Sequence, residues 1–261
     1  GSTAYIYREQ VLQTVNTHRH HLSSPVQDLF EKNIRYIYDA YRRCFIVKKF
    51  NLPPDKPILI MSATVPVSAY IEMFGAENVR VVEVNEIEYT GKLYFHQMKG
   101  TCRGRIGDEA TVRELKKTLD KIDNIEAVIT HTNAKDGIKQ LIGTEVDVSC
   151  HFGATDGTSE LRGKNIVTIG TPHIPMYWFK LFYSDSKMMN EIAEPRSRKV
   201  KRNGFSFRMP TISNNDRVQQ LQLDMVESEL AQAVGRARLL REPCEVHLIG
   251  DMPLPQCIVV N

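Results

Sequence analysis

The chain has 261 residues, of which 42% are hydrophobic and 25% charged, and its formal net charge is +3. These values are ordinary for a globular protein and exclude a disordered tail, a coiled coil and a collagen-like repeat. The apolar runs fall far short of the ~20 residues that a membrane-spanning helix needs, so we expect no membrane partner. Because the average charge is almost neutral, nucleic-acid binding would require a local concentration of basic residues.

The five cysteines are far apart and odd in number. They form no C-x-x-C pair, so the pattern predicts neither a metal site nor a disulfide framework. We also find no signal-peptide pattern, and a reduced intracellular protein (in the cytoplasm, nucleoid or nucleus) that is not secreted is therefore expected.

The first predicted elements are helical. Residues 4–16 are compatible with a helix, and Ser24-Pro25 followed by Gln27 has the pattern of a helix start. Apolar residues then recur every three or four positions as far as Cys44, which predicts one long amphipathic helix ending near residue 50.

Beyond residue 50, short apolar runs alternate with helical patterns. This alternation predicts βαβ units and an α/β fold with a mainly parallel sheet flanked by helices. The expected strands are 58–61, 79–84, 92–98, 127–130, 146–151, 166–170 and 245–249, and the expected helices are 67–74, 108–121, 134–141 and 216–238. Residues 175–215 interrupt the alternation and are interpreted as an insertion. Its basic cluster, Arg196 to Arg202, is either a solvated loop or a surface that grips a nucleic-acid strand.

Two segments contain residues that suggest a ligand-binding or catalytic site. Ser62 and Thr64 follow the predicted strand 58–61, at the edge where a parallel sheet presents ligands, although Ser-Ala-Thr is also common in plain strand-to-loop turns. Gln232 and Arg236 share one face of the helix 216–238, and Gly235 could end that helix so that Arg236 and Arg238 approach one anion. Paired guanidinium groups suit phosphate oxygens, and the alternative is a solvated basic helix end.

In this order, the two segments resemble motifs III and VI of superfamily 2 helicases, nucleic-acid-dependent ATPases built from two RecA-like lobes of the P-loop NTPase type. Residues 127–133, Ala-Val-Ile-Thr-His-Thr-Asn, resemble motif IV, and residues 153–158 with the strand 166–170 and Thr171-Pro172 are similar to motif V. The resemblance covers roughly residues 57–253, without the insertion.

The resemblance implies roles for individual residues. Arg236 and Arg238 are arginine-finger candidates, and Gln232 would contact the phosphate of ATP or the attacking water. A second group would line the ATP cleft or couple hydrolysis to movement: Gly235, Gly157, Thr158, Ser62 and Thr64. A third group would contact the phosphates of nucleic acid, with DNA expected in single-stranded or duplex form: Thr130, His131, Thr132, Asn133, Thr171 and His173.

The chain also departs from the family pattern. Many members carry the second motif VI arginine seven residues after the glutamine, where this chain has Leu239, so which arginine is the finger stays open. The sequence contains no G-x-x-x-x-G-K-[ST] loop, and it contains no acidic box before residue 57. Binding of ATP and Mg²⁺ in this family requires both.

We therefore expect the carboxyl-terminal portion of a helicase. Residues 1–88 would end the first lobe, residues 89–261 would form the second, and the rest of the first lobe would be a partner. The parent protein would hydrolyse ATP, whereas this chain alone would be inactive. One alternative is a catalytically silent nucleic-acid-binding module, and another is an unrelated nucleotide-binding α/β domain.

Overall fold

The computed structural model describes residues 34–39, 44–49, 56–62, 64–82, 88–99, 101, 109–143, 145–153, 160–184 and 186–260. For residues 34–39 and 44–49 the description is that of the backbone. The described residues divide into two compact units. The first comprises those up to Ile60 together with Pro175–Ile192, and the second comprises Met61–Ile174 and the residues from Ala193 onward.

The first unit contains a β-hairpin and one short helix. Strands β1 (Ile34–Asp39) and β2 (Cys44–Lys49) are antiparallel, with Ile34 opposite Lys49 and Asp39 opposite Cys44. A helix of seven residues at Met176–Phe182 packs against both strands and is followed by a 3₁₀ turn at Lys187–Glu191.

This hairpin corrects the predicted long helix between residues 24 and 50. The three- and four-residue spacing of apolar residues is real, but the sequences IRYIYD and CFIVKK are rich in β-branched and aromatic side chains, which favour strands. Their preference outweighed the helical periodicity. The start of that predicted helix and the one predicted over residues 4–16 lie outside the described residues.

The second unit is built on a five-stranded parallel sheet, which confirms the predicted α/β class and mainly parallel sheet. Its strands are β3 (Lys92–Gln97), β4 (Ala127–Ile129), β5 (Ile166–Ile169), β8 (Glu245–Gly250) and β9 (Ile258–Val260). Their order in space is β4, β5, β8, β3 and β9, and every pairing is parallel.

Helices α2 (Glu109–Leu119) and α3 (Lys135–Ile142) pack on one face of this sheet, and α5 (Asp216–Gly235) packs on the other. The same unit contains α1 (Val67–Phe74), which contacts α5, and the helix Met176–Phe182 of the first unit is numbered α4. An antiparallel hairpin, β6 (Arg196–Arg202) and β7 (Phe205–Thr211), belongs to the same unit as the sheet. The predicted helices 67–74, 108–121, 134–141 and 216–238 are thus confirmed, apart from a few terminal residues.

The alternation of side chains along each strand creates one hydrophobic core on each face. On one face, Val246 and Leu248 of β8 share a buried cluster with Leu223 and Leu230 of α5. On the other, Ile249 lies in a cluster with residues of α2 and α3. Short, apolar strands buried on both faces are typical of parallel sheets, which explains why the sequence indicated β4, β5 and β8 clearly. The sheet-edge strand β9 was not predicted, and all three of its residues are exposed.

Three strand predictions were wrong. Residues 58–61 form no strand, and Leu59 and Met61 are 84% and 86% exposed. The described residues 79–82 are also not a strand, and Val82 is 76% exposed. Residues 146–151 contribute only isolated bridges to β4 and to Thr130. Apolar β-branched runs indicate strands only where a neighbouring strand is available to pair with them, and the first two have none among the described residues.

Candidate functional site

The candidate site is the carboxyl edge of the parallel sheet, where the polar residues that follow β4, β5 and β8 lie together with Thr101. Ligands of open α/β sheets usually bind at this edge, because the loops that leave it can enclose them. The residues concerned are Thr101, Thr130, His131, Thr171 and Asp251.

Asp251 forms hydrogen bonds to Thr101 and Thr171 and so connects three segments of this edge. Its side chain is 4% exposed, and its Oδ2 accepts hydrogen bonds from the Thr101 amide at 3.2 Å and hydroxyl at 2.9 Å. The Asp251 amide donates to Thr171 Oγ1 at 2.9 Å. The amide of Thr171 in turn donates to the Thr101 carbonyl at 3.4 Å. A carboxylate that is buried but bonded in this way fixes the geometry of the edge.

Two glycines let the backbones approach at this edge. Gly170 has φ +111°, and a Cβ placed there would lie 2.8 Å from the Nε2 of His131. A Cβ on Gly250 would lie 3.0 Å from Thr171 Oγ1 and 3.2 Å from the Gly170 carbonyl. Gly170 therefore has both a conformational and a steric reason to be glycine.

His131 is the half-buried imidazole of the edge. Its ring meets the edge of Phe152, with 4.9 Å between ring centroids. Burial lowers the pKa of His131 below its ordinary value, the backbone of Thr101 and Thr171 partly offsets that shift, and the charge of His173 adds to it. The imidazole of His131 therefore stays neutral down to a lower pH than usual, and in that form it can both donate and accept a hydrogen bond.

The remaining predicted nucleic-acid contacts differ in exposure. Thr132 and Asn133 are exposed on a 3₁₀ turn that leads into α3, and His173 is exposed after β5. Thr130 is 1% exposed, and its hydroxyl donates to the Ile169 carbonyl at 2.9 Å. Thr171 is also fully buried. The exposed residues are thus presented to a ligand, whereas Thr130 and Thr171 hold the edge together.

The segment predicted to bind phosphate lies at the end of α5. This helix begins at the Asn215 cap, whose side chain accepts from the amides of Arg217 and Val218, and it ends at Gly235 as the sequence suggested. Arg236 and Gln232 are half-buried, and Arg238 is exposed with φ +63°. Ala237, which lies between the two arginines, is fully buried.

Ser62 and Thr64 lie next to α5 rather than after a strand. The Thr64 carbonyl accepts a hydrogen bond from the Ser228 hydroxyl of α5, and the Thr64 amide donates to Ser62 Oγ at 3.2 Å. The amide of Ser68, in α1, donates to Asp224 of α5 at 3.4 Å. The Ser62–Thr64 segment and α1 are therefore attached to the helix that carries Gln232.

Two predicted residues, Gly157 and Thr158, lie outside the described part of the chain. Conversely, Thr101 and Asp251 belong to the edge but were not predicted from the sequence. A signal for Asp251 was present, since it follows the predicted strand 245–249 after one residue, Gly250, much as Thr171 follows the strand 166–170. Thr101 could not be found in this way, because its role depends on a loop conformation that periodicity does not encode.

Searches against protein-family models, curated proteins and solved structures find no match for this chain. Among the described helices, none is long and apolar enough to span a membrane. The described residues also contain no group of three or more His, Cys, Asp or Glu side chains that could hold a metal ion.

Proposed function

We propose that this chain is the second RecA-like lobe of a superfamily 2 helicase or translocase, together with the end of its first lobe. The observation that carries the proposal is the placement of the motif-like segments. His131 and Asn133 follow β4, and His173 follows β5. Gln232 lies in the last turn of α5, and Arg236 and Arg238 follow that helix. Numbered one to five along the chain, the sheet strands are arranged 5-1-4-3-2 in space, which is compatible with such a lobe.

In this proposal, the exposed and half-buried residues of the sheet edge contact the phosphates of a DNA strand. Asn133 and Thr132 offer an amide and a hydroxyl at the start of α3, and His131 and His173 offer imidazoles. Contacts of this kind position a strand without reading its sequence. The buried bonds of Asp251 and Thr171 would keep that surface in place while a strand moves across it.

Arg236 and Arg238 would stabilise the negative charge that develops on the γ-phosphate of ATP. ATP and Mg²⁺ would be held mainly by a phosphate-binding loop in another part of the protein, since this sequence contains none. A bound Mg²⁺ would neutralise charge on the phosphates. The arginines suit this role, because a guanidinium group binds phosphate oxygens directly and does not itself need a bound metal ion. We do not expect this chain alone to hydrolyse ATP.

The experiment is ATP turnover by the full-length protein, with and without single-stranded DNA. We expect strand-stimulated turnover that falls by roughly 10³-fold or more in Arg236→Ala or Arg238→Ala, depending on which is the finger. Arg241→Ala is the matched control, because Arg241 is an exposed arginine of the same segment and carries no role in the proposal. Equal loss in all three variants would argue against an arginine finger.

The second candidate function is a silent nucleic-acid-binding module. The exposure of Thr132, Asn133 and His173 at the sheet edge fits this candidate equally well, because contacts to a phosphate backbone need no bound nucleotide. Strand binding without ATP turnover in the full-length protein would support this candidate and overturn the motor.

A further inference from the structure

The β6–β7 hairpin is a regular two-stranded ribbon rather than a loop. Lys199 lies opposite Arg208, and the strands are joined by Asn203 and Gly204, whose φ values are +52° and +79°. Positive φ at both central residues is typical of a type I′ turn, the turn that best matches the twist of a hairpin. The turn is also fixed, because Asn203 Nδ2 donates to the Pro253 carbonyl at 3.1 Å.

The inner face of this ribbon is packed into the core. Val200, Phe207 and Met209 are at most 4% exposed and lie in the same cluster as Leu223 and Val226 of α5. Side chains alternate between the two faces of a strand, so the intervening residues must point outward. The hairpin is therefore held along its length and presents one face to solvent.

Two of the three cations on the inner side of β6, Arg198 and Arg202, bond to the protein itself, whereas Arg196 at the open end of the hairpin is exposed. Arg202 forms ion pairs with Asp224, at 2.7 Å, and with Glu227, and its side chain is only 21% exposed. Burial alone would lower the pKa of Arg202, but the two carboxylates raise it, so the guanidinium stays charged. Arg198 donates to Thr211 Oγ1 at 2.8 Å. Neither arginine is available to a ligand.

The outer face carries a different set of cations. Lys199, Lys201 and Arg208 are exposed, and among the described residues none of them forms an ion pair. None of the outward-facing residues is acidic: they are Ser197, Lys199, Lys201, Ser206, Arg208 and Pro210. Lys199 and Lys201 are two positions apart on one strand, which places them about 7 Å from each other.

We propose that this outer face binds the phosphate backbone of DNA. A row of exposed cations, none of which forms an ion pair with another described residue, attracts a polyanion. In the part of the chain that the structure describes, Arg208 donates only to the Ser197 carbonyl of the same ribbon, at 3.4 Å. The ribbon backbone is held in place, so it loses little conformational entropy on binding. Serine hydroxyls beside the cations can donate to phosphate oxygens. An anionic membrane fits less well, because the outward face has no large apolar side chain to insert between lipids. The choice of DNA rests on the proposed function, whereas the location of the surface does not.

The test is the salt dependence of binding of a fluorescent single-stranded DNA to this chain, for wild type and the triple variant K199A/K201A/R208A. Each phosphate contact contributes roughly 0.7 to the slope of log affinity against log salt for a single strand. Losing all three contacts should therefore reduce the slope by about 2 and weaken binding roughly tenfold or more near 0.15 M salt.

The matched control is R113A/K116A/K117A. These exposed residues of α2 have the same composition, two lysines and one arginine, so both variants remove three positive charges. We expect the control to keep the wild-type slope. An equal decrease of the slope in both variants would show that only the net charge of the chain matters, and it would overturn the proposal.

Circular dichroism and thermal unfolding establish that the variants are folded. If the triple alanine variant does not fold, K199Q/K201Q/R208Q decides, because it removes the same three charges but keeps long side chains, and it should lower the slope by the same amount. An unchanged slope in a folded triple alanine variant overturns the proposal, as does binding to phosphatidylserine vesicles but not to DNA. ATP turnover of the full-length protein is measured separately, so loss of the hairpin surface and loss of the motor are distinguishable.

Discussion

The carboxyl edge of the sheet and the outer face of the β6–β7 hairpin are both polar, but their polar groups face opposite ways. At the edge, Asp251 and Thr171 are buried and bond to the protein itself. On the hairpin, Lys199, Lys201 and Arg208 remain in solvent. The first arrangement fixes a shape, and the second leaves charge available for a partner.

Because of this difference, substitutions in the two regions should affect different properties: stability at the sheet edge and binding on the hairpin. Removing a buried group leaves its partners without a hydrogen bond and costs their full desolvation free energy. Removing an exposed cation changes stability little, because solvent and salt already screen it. Substitutions at the edge should therefore lower the free energy of unfolding, whereas substitutions on the outer face of the hairpin should leave it nearly unchanged.

Gly170→Ala should be the most destabilising. The new Cβ would lie 2.8 Å from the His131 ring, and φ of +111° is strained for alanine, so we expect a loss of about 4 kcal/mol in the free energy of unfolding. Gly137→Ala is the control, since a Cβ there meets nothing within 4 Å and lies in α3. It should stabilise by about 0.5–1 kcal/mol. Urea denaturation measures both, and similar effects would contradict the assigned geometry.

Asp251→Ala should have the next largest effect. It removes the acceptor of the Thr101 amide and hydroxyl, which are buried, so we expect about 2–3 kcal/mol of destabilisation in the same measurement. Asp123→Ala removes an exposed carboxylate and should stay within about 0.5 kcal/mol of wild type. If both variants behave alike, Asp251 does not organise the edge.

Arg202→Ala and Lys201→Ala compare adjacent residues of one strand. Arg202 is mostly buried between Asp224 and Glu227, and its loss should cost about 2 kcal/mol. Lys201 faces solvent, and its loss should cost less than about 0.5 kcal/mol. Thermal unfolding checks both, and a reversed order would mean that the hairpin faces are assigned the wrong way round.

The half-buried His96 should have an effect that shows only in the pH dependence of the free energy of unfolding. Burial, with the charges of His247 and Lys121, lowers the pKa of His96 from 6.5 to about 4. His96 Nε2 lies 2.9 Å from His247 Nδ1, and Glu245 lies beside His247. Between pH 6.5 and 4 the unfolded chain therefore binds more protons, so the free energy of unfolding falls as the pH is lowered.

His96→Gln removes this titration and should flatten that fall, as measured by urea denaturation at pH 6.5, 5 and 4. The same pH dependence in wild type and variant would show that His96 is not the group responsible.

The sequence predicted the sheet better than its surroundings. The strands β4, β5 and β8 are short apolar runs buried on both faces, a pattern with few alternatives. The segment from Ile34 to Lys49 combined helical spacing with residues that favour strands, and spacing alone gave the wrong element. In the insertion, Asn203-Gly204 was the available hairpin signal.

The site was predictable only in outline. Periodicity places His131, Asn133 and Thr171 after strands, but it does not tell that Thr130 and Thr171 are buried. That distinction depends on the bonds to Ile169 and Asp251, which form between segments far apart in the chain. Likewise, the basic run 196–202 became informative only when strand alternation separated the inner arginines from the outer lysines.

The most direct test is photo-crosslinking of single-stranded DNA to the folded chain, with the linked residues located by mass spectrometry. We expect links at the edge residues Asn133, His173 or the half-buried His131, and on the outer face of the hairpin, between Lys199 and Arg208. Links confined to other surfaces, such as the α2 residues 113–117, or no links at all, would contradict our account.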